Sequence, residues 1–446
     1  MRKKQILVIV GVLVAIEVLV CAAIVAVLVS SRFALPDARF FYVADTRAQE
    51  VVEESFVTDG PVKLDLTNTR GDVEIVAGDG CQIVLKATKE VWGQDKSEAE
   101  AKLQALEVEM AMDGDTLRVR VDDPDENATV VFGSIRSSRV RFEISVPSRT
   151  AVVVHTRNAN ITLKGTEGDA DLTSRYGSIM VEETLGSIIA DTNNGNVTVR
   201  RSGGEQAAID LHSRYGNITV REVTAGELAL DSNNGALDLE EVTVDDDLVL
   251  NTNYGKIDLQ GVRAGSLTAK SQNGAIVLND GQLEGGLDLF THYGAVSVAR
   301  TEASAYKIET NNGDVKLEGG YGSLWIHSHY GDIVVKNARD VTLDLNTRNG
   351  EVTFEGSLAD QGDHDIESHY GAVSLRLPPD TAVFLDASTH YGSIRCEFDV
   401  LVEGADEGKE KRTSGDELRG AINGGGDNLR VETSNGDVTI ETEPSK

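Results

Sequence analysis

The stretch SNNGALDLEEVTVDDDLVLNTNYGKIDLQGVRAGSLTAKSQNGAIVL, residues 232–278, decides the fold. Three of its five glycines, Gly235, Gly255 and Gly274, are each preceded by Asn or Tyr and followed by a short alternation such as Leu237-x-Leu239 or Ile257-x-Leu259. A second alternation leads into each glycine, as in Leu228-x-Leu230-x-Ser232 and Leu248-x-Leu250-x-Thr252. Period-2 alternation puts one row of side chains inward and the next outward. Each unit therefore reads as two short strands. Asn-Gly supplies the φ > 0 corner of a tight turn, and a second short corner, often with glycine (Gly226, Gly265, Gly286), closes the coil.

The same register extends outward in both directions. The corner glycines are Gly177, Gly195, Gly216, Gly235, Gly255, Gly274, Gly294, Gly313, Gly331, Gly350, Gly371 and Gly392, and Gly436 follows after a break. From Gly177 to Gly371 the ten intervals average 19.4 residues. A leucine-rich repeat shares that length but needs a Leu/Asn consensus that is absent. Two-strand units of this kind bury their apolar rows only by stacking, so the expected fold is all-β, a single-chain β-solenoid. At ~4.8 Å per coil, thirteen or so coils span roughly 60 Å.

Composition agrees. Of 446 residues, 44 are glycine, and no proline falls between Pro147 and Pro378, which suits unbroken ladders. The formal charge of −31 repels phosphate backbones and argues against nucleic acid as a partner. Three cysteines (Cys21, Cys81, Cys396) are too scattered for a disulfide framework or a thiolate zinc site.

Residues 6–29 are almost wholly apolar and long enough to cross a ~30 Å hydrocarbon core. Arg2, Lys3 and Lys4 precede them. The expectation is a single-pass plasma-membrane anchor, with residues 1–5 cytoplasmic and the rest extracytoplasmic. A cleaved signal peptide is the alternative. Cys21 does not follow a small residue, as a lipidation site wants. Glu17 sits mid-span, either protonated on a simple anchor or as a polar contact in an oligomer. Residues 30–57 read as a stalk. Residues 58–147 read as an N-terminal β region, with a degenerate coil around Gly71, a helix at 97–107 capped by Ser97 and Glu100, and a hairpin turning at Asp113-Gly114. Residues 148–398 are the solenoid proper, beginning at a unit with Ala159 in the glycine position, and 399–446 an acidic loop and C-terminal cap.

Before the glycine, Tyr and Asn alternate: Tyr176, Asn194, Tyr215, Asn234, Tyr254, Asn273, Tyr293, Asn312, Tyr330, Asn349, Tyr370, then Tyr391 out of phase. Either each ring covers a neighbouring glycine corner, or Tyr215, Tyr254, Tyr293, Tyr330 and Tyr370 form an aromatic ladder that binds an extended polymer such as a glycan. The Ser or Thr two residues earlier points inward and is expected to hydrogen-bond at the corner. His292, His329, His369 and His390 precede tyrosines and read as solvated surface rather than as a metal site.

Three strings carry a resemblance: FVTDGPVKLDLTNTRGDVEI at 56–75, SEAEAKLQALEVEM at 97–110 and AINGGGDNLRVETSNGDVTI at 421–440. With the NG/YG coils between them, they resemble the bacterial putative-adhesin β-strand-repeat family, a domain of unknown function found behind a membrane anchor or signal. The resemblance implies a β-solenoid at the cell envelope and brings no catalytic residues. No phosphate loop, HExxH or GxSxG is present, and a substrate cleft for acidic polysaccharide would need basic character that this chain lacks. The expected role is structural or ligand-binding, adhesin-like and not enzymatic, with no cofactor or metal. The alternative is an envelope-stress sensor acting through a membrane partner. A polysaccharide-active enzyme is the remaining reading. Partners are the membrane and a cell-wall polymer or envelope protein.

Overall fold

The computed structural model describes residues 46–58, 60–78, 80–124, 138–401 and 416–443. The expected anchor at 6–29, Glu17, and the charged loop at 402–415 lie outside the described residues. Among the described residues no helix is long and apolar enough to cross a membrane.

The chain is a β-solenoid of parallel coils, in register along the stack. Strand Asp247–Thr252 lies between the end of Ile218–Ser232 and Ser266–Ser271, so that Leu228, Leu248 and Leu267 fall in one column. Leu237–Val244 pairs likewise with Ile257–Ala264, Leu237 opposite Ile257. The strands flanking each corner glycine keep a constant spacing from it, and the one to three extra residues of longer coils are taken up elsewhere, as between Gly204 and Ala208, so inward residues land on their counterparts. The core is therefore a pile of apolar layers, with Leu248, Leu250, Ile257 and Leu259 fully buried. Each such Leu or Ile contributes roughly 1.5–3 kcal/mol through removal from water.

The stack begins earlier than residue 148. Val62–Arg70 pairs in parallel with Thr150–Asn158, and Val73–Gly78 with Ile161–Lys164, so the coil around Gly71 belongs to the stack as its sequence suggested. Beyond it the hairpin Glu107–Asp113/Thr116–Asp122 and strand Arg139–Pro147 cover the open end.

Three expectations need correction here. Residues 46–57 are not stalk: Thr46–Val57 is a strand, paired antiparallel along its whole length with Gln82–Gly93. Most of its residues are exposed, and beside the backbone ladder only Ala48, Val52 and Phe56 pack against the core, each partly buried. Ion pairs assist, with buried Glu90 held between Arg47 and Arg139, and Glu50 meeting Lys89. The helix is Lys96–Ala105, and its capping pair is Asp95 and Glu98 rather than Ser97 and Glu100. Asp95 Oδ1 accepts from the Glu98 amide at 2.9 Å, and Glu98 Oε2 accepts from the Gln94 amide at 2.8 Å.

The third correction concerns the C-terminus, which supplies a coil of the stack as well as the strand Glu417–Ile422 that covers its end. Strand Asn428–Thr433 inserts between His364–Ser368 and Val383–Thr389, parallel to both. Val438–Thr442 inserts in the same way between Val373–Leu377 and Ile394–Cys396. The last coil in sequence is thus the penultimate coil in space. Strand Glu417–Ile422 returns antiparallel along Val383–Thr389 to deliver it.

Candidate surface: the Tyr/Asn edge

The corner is built from three columns. The glycine column runs from Gly177 to Gly371, then Gly436, then Gly392, and its geometry differs from the expectation. None of these glycines has positive φ. Their constraint is contact: a Cβ on Gly274 would stand 1.7 Å from the carbonyl oxygen of Gly255, and one on Gly294 2.1 Å from that of Gly274. Glycine is required because each corner sits directly on the one below. The left-handed residue falls six positions later, at Glu183, Arg201, Glu222, Glu241, Gly261, Asp280, Arg300, Gly319 and Asn337, not at Gly226, Gly265 or Gly286.

The hydroxyl column behaves as expected. Thr291 Oγ1 donates to the Gly274 carbonyl at 3.0 Å and accepts the Gly294 amide at 3.1 Å. Ser213 does the same with Gly195 and Gly216, at 2.9 Å each. One hydroxyl per coil satisfies two buried backbone groups that the bend would otherwise leave without partners.

The third column is the pair of residues ahead of each glycine. The tyrosines are about half exposed: Tyr215 51%, Tyr254 59%, Tyr293 57%, Tyr330 55% and Tyr370 52%. They do not bury themselves under the corners. Except at Tyr254, where Asn253 bonds to Asn233, each meets the residue before it. Arg175 and Arg214 lie 5.3 and 5.5 Å from the ring centres of Tyr176 and Tyr215. His292, His329, His369 and His390 lie 4.4–4.7 Å from theirs. These histidines sit on alternate coils, ~9.6 Å apart. That is too far for two of them to ligate one metal ion at ~2 Å each. Among the described residues no group of three or more His, Cys, Asp or Glu is placed to hold a metal.

Two features of this edge were missed in the sequence. First, Tyr391 is out of phase only in the chain: in space Asn435 stands between Tyr370 and Tyr391, because the coil of Gly436 is stacked between those of Gly371 and Gly392. The alternation is unbroken to the end of the stack. Second, the two positions ahead of the corner glycines contain no Asp or Glu, although 73 of 446 residues are acidic. A mildly basic aromatic strip runs along an otherwise strongly acidic molecule. Beside it, between the coils of Gly216 and Gly294, lies a shallow trough of about 460 Å³.

With this geometry in hand, the chain falls in the class of repetitive β-solenoids that carry a regular surface strip. It belongs to the Toastrack DUF4097 family, whose model matches residues 62–298 and 286–360. Two solved structures are similar. One, from Bacteroides fragilis, is described as a putative adhesin (14% identity, 60% of this chain and 96% of that chain, TM-score 0.28). The other, from Clostridium sporogenes, is described as a putative cell adhesion protein (9% identity, 88% of this chain and 100% of that chain, TM-score 0.17). No curated protein sequence matches the chain.

Proposed function

We propose that this protein is a non-enzymatic binding scaffold of the cell envelope, anchored in the plasma membrane by residues 6–29 with the solenoid outside. It holds an extended envelope polymer along the Tyr/Asn edge. The observation that carries this reading is the edge itself. Its rings are exposed where corner packing would have buried them, they recur at a fixed spacing, and the two positions ahead of each corner glycine hold no Asp or Glu on a −31 chain. A ladder of equal sites gives modest affinity per site and strong retention by multiplicity.

The test exchanges Tyr254, Tyr293 and Tyr330 for Asn together. Asn already occupies this column in alternate coils, so the exchange separates recognition from folding. The variant should lose most retention on isolated cell-wall material while keeping its far-UV β spectrum and melting temperature. Unchanged retention would remove the edge from the binding role. The topology has its own test: the protein should fractionate with membranes with its first residues intact, and a mature amino terminus near Ser31 would contradict the anchor.

A further inference from the structure

The spacing and chemistry of the edge narrow the polymer to one class. Coils advance by ~4.8 Å and tyrosines return every second coil, ~9.6 Å. In an extended β-1,4-linked glycan each sugar advances by about one coil, and alternate sugars present the same face. A tyrosine every second coil therefore meets every second sugar in the same orientation, where aromatic rings contact the apolar face of a pyranose.

Basic and imidazole side chains stand ahead of most of these tyrosines, and Arg348 stands ahead of Asn349 as well. Arg175, Arg214, His292, His329, His369 and His390 each precede a tyrosine. Asn253 interrupts the series at the coil of Gly255, and Lys270 stands one coil further on, on the far wall of the trough. The trough supplies hydrogen-bonding groups without partners of their own. Among the described residues the side chains of Asn251, Lys270 and Gln272 make no hydrogen bond or ion pair, and Arg214 meets only the Tyr215 ring. The one carboxylate in its lining, Asp231, is met by His212 Nδ1 at 3.4 Å. The free groups are amides and cations, which suit a ligand rich in hydroxyls and acetamides and carrying carboxylates.

Resting on the edge reading above, we propose that the ligand is a β-1,4-linked amino-sugar chain with a carboxylate on every second sugar. That is the chemistry of a peptidoglycan glycan strand whose peptides have been removed. Tyr215 and Tyr254 each cover a sugar face, Arg214 meets the carboxylate of the sugar on Tyr215, and Lys270, Asn251 and Gln272 hydrogen-bond to hydroxyl or acetamido groups.

The experiment titrates the full-length protein with three probes of matched length. These are peptide-free peptidoglycan glycan strands, chitin oligosaccharide (the same backbone without carboxylates) and single-stranded DNA. The glycan strand should bind at least tenfold tighter than the chitin oligomer. Arg214→Gln should reduce that ratio to within threefold while leaving chitin binding in place. Tyr215→Asn with Tyr254→Asn should weaken both sugars. Equal affinity for the two sugars, or no sugar binding while retention on whole cell wall stays Tyr-dependent, overturns the ligand class and leaves the edge reading standing. Loss of Tyr dependence in every assay overturns both. Tightest binding to DNA also overturns the glycan and replaces it with a polyanion that the strip recognises by charge.

Discussion

Exchanging Gly274 for Ala and for Asn tests whether stacking, rather than backbone conformation, demands glycine at the corners. A Cβ at this position would lie 1.7 Å from Gly255 O and 2.3 Å from its carbon, whereas ordinary contact begins near 3.4 Å. The seam between the two coils would have to open by roughly 1.5 Å. Three bonds cross it there. Ile257 N–H donates to Ala275 O at 2.9 Å, Asn273 N–H to Asn253 O at 2.9 Å, and Ser271 Oγ to Gly255 O at 3.2 Å. At ~0.5–1.5 kcal/mol net for each bond, losing them costs about 2–4 kcal/mol. Gly114 is the contrasting site: its φ is +65° and nothing lies within 4 Å of an added Cβ. There Ala should cost ~1–2 kcal/mol and Asn less, because Asn tolerates the left-handed region. At Gly274, Asn should be no better than Ala. Urea denaturation gives the stabilities, and hydrogen exchange at the Ile257 and Asn273 amides localises the damage. Recovery by Asn at Gly274, or a loss under 1 kcal/mol with Ala, would refute the stacking account.

The hydroxyl column predicts that Thr291→Val leaves the Gly274 carbonyl and the Gly294 amide without partners. It should cost ~2–5 kcal/mol in the same denaturation assay, while Thr291→Ser stays within ~1 kcal/mol. His364 is buried, and that burial lowers its pKa below the ordinary 6.5 even though Asp427 and Asp363 pull the other way. The unfolded chain therefore takes up a proton that the folded chain refuses, and stability should fall as pH drops below ~6.5. Replacing His364 with Phe should flatten that slope between pH 7 and 5, and an identical slope would count against it. Asp280 accepts from Arg300 and Gln260, which lowers its pKa to about 2. Its contribution is present above the ordinary carboxylate range and is lost as pH falls through about 2. An NMR titration should find that midpoint, and Arg300→Gln should move it up toward ~4.

Most of the solenoid was legible because period-2 alternation and a near-constant coil length are properties of the chain itself. Leu248, Leu250 and Thr252 announce their direction without any partner. The hairpin at Asp113-Gly114 and the inward hydroxyls were legible for the same reason. Three features were not, each because it depends on a neighbour. Thr46–Val57 sets its core-facing Ala48, Val52 and Phe56 four residues apart, so no period-2 alternation marks it, and it is a strand because Gln82–Gly93 offers it an edge. The corner glycines look like turn glycines, and their real constraint is the carbonyl one coil below. The insertion of Asn428–Thr442 cannot be read from order along the chain, since its two partners lie on either side of it in space and both precede it in sequence.

That insertion bears on what the edge is for. Packing alone would accept the C-terminal coil at the end of the stack, since it carries the same inward residues, Leu429, Val431 and Thr433, as any other coil. It sits one place further in, and the consequence at the surface is specific. Without it Tyr370 and Tyr391 would stand on adjacent coils. With it, Asn435 separates them and the two-coil period of rings continues to the last corner. The core columns have a one-coil period and do not distinguish the two arrangements. The surface strip does. The strip thus keeps its two-coil period across a break in chain order, and the Tyr→Asn binding test asks whether a ligand reads that period.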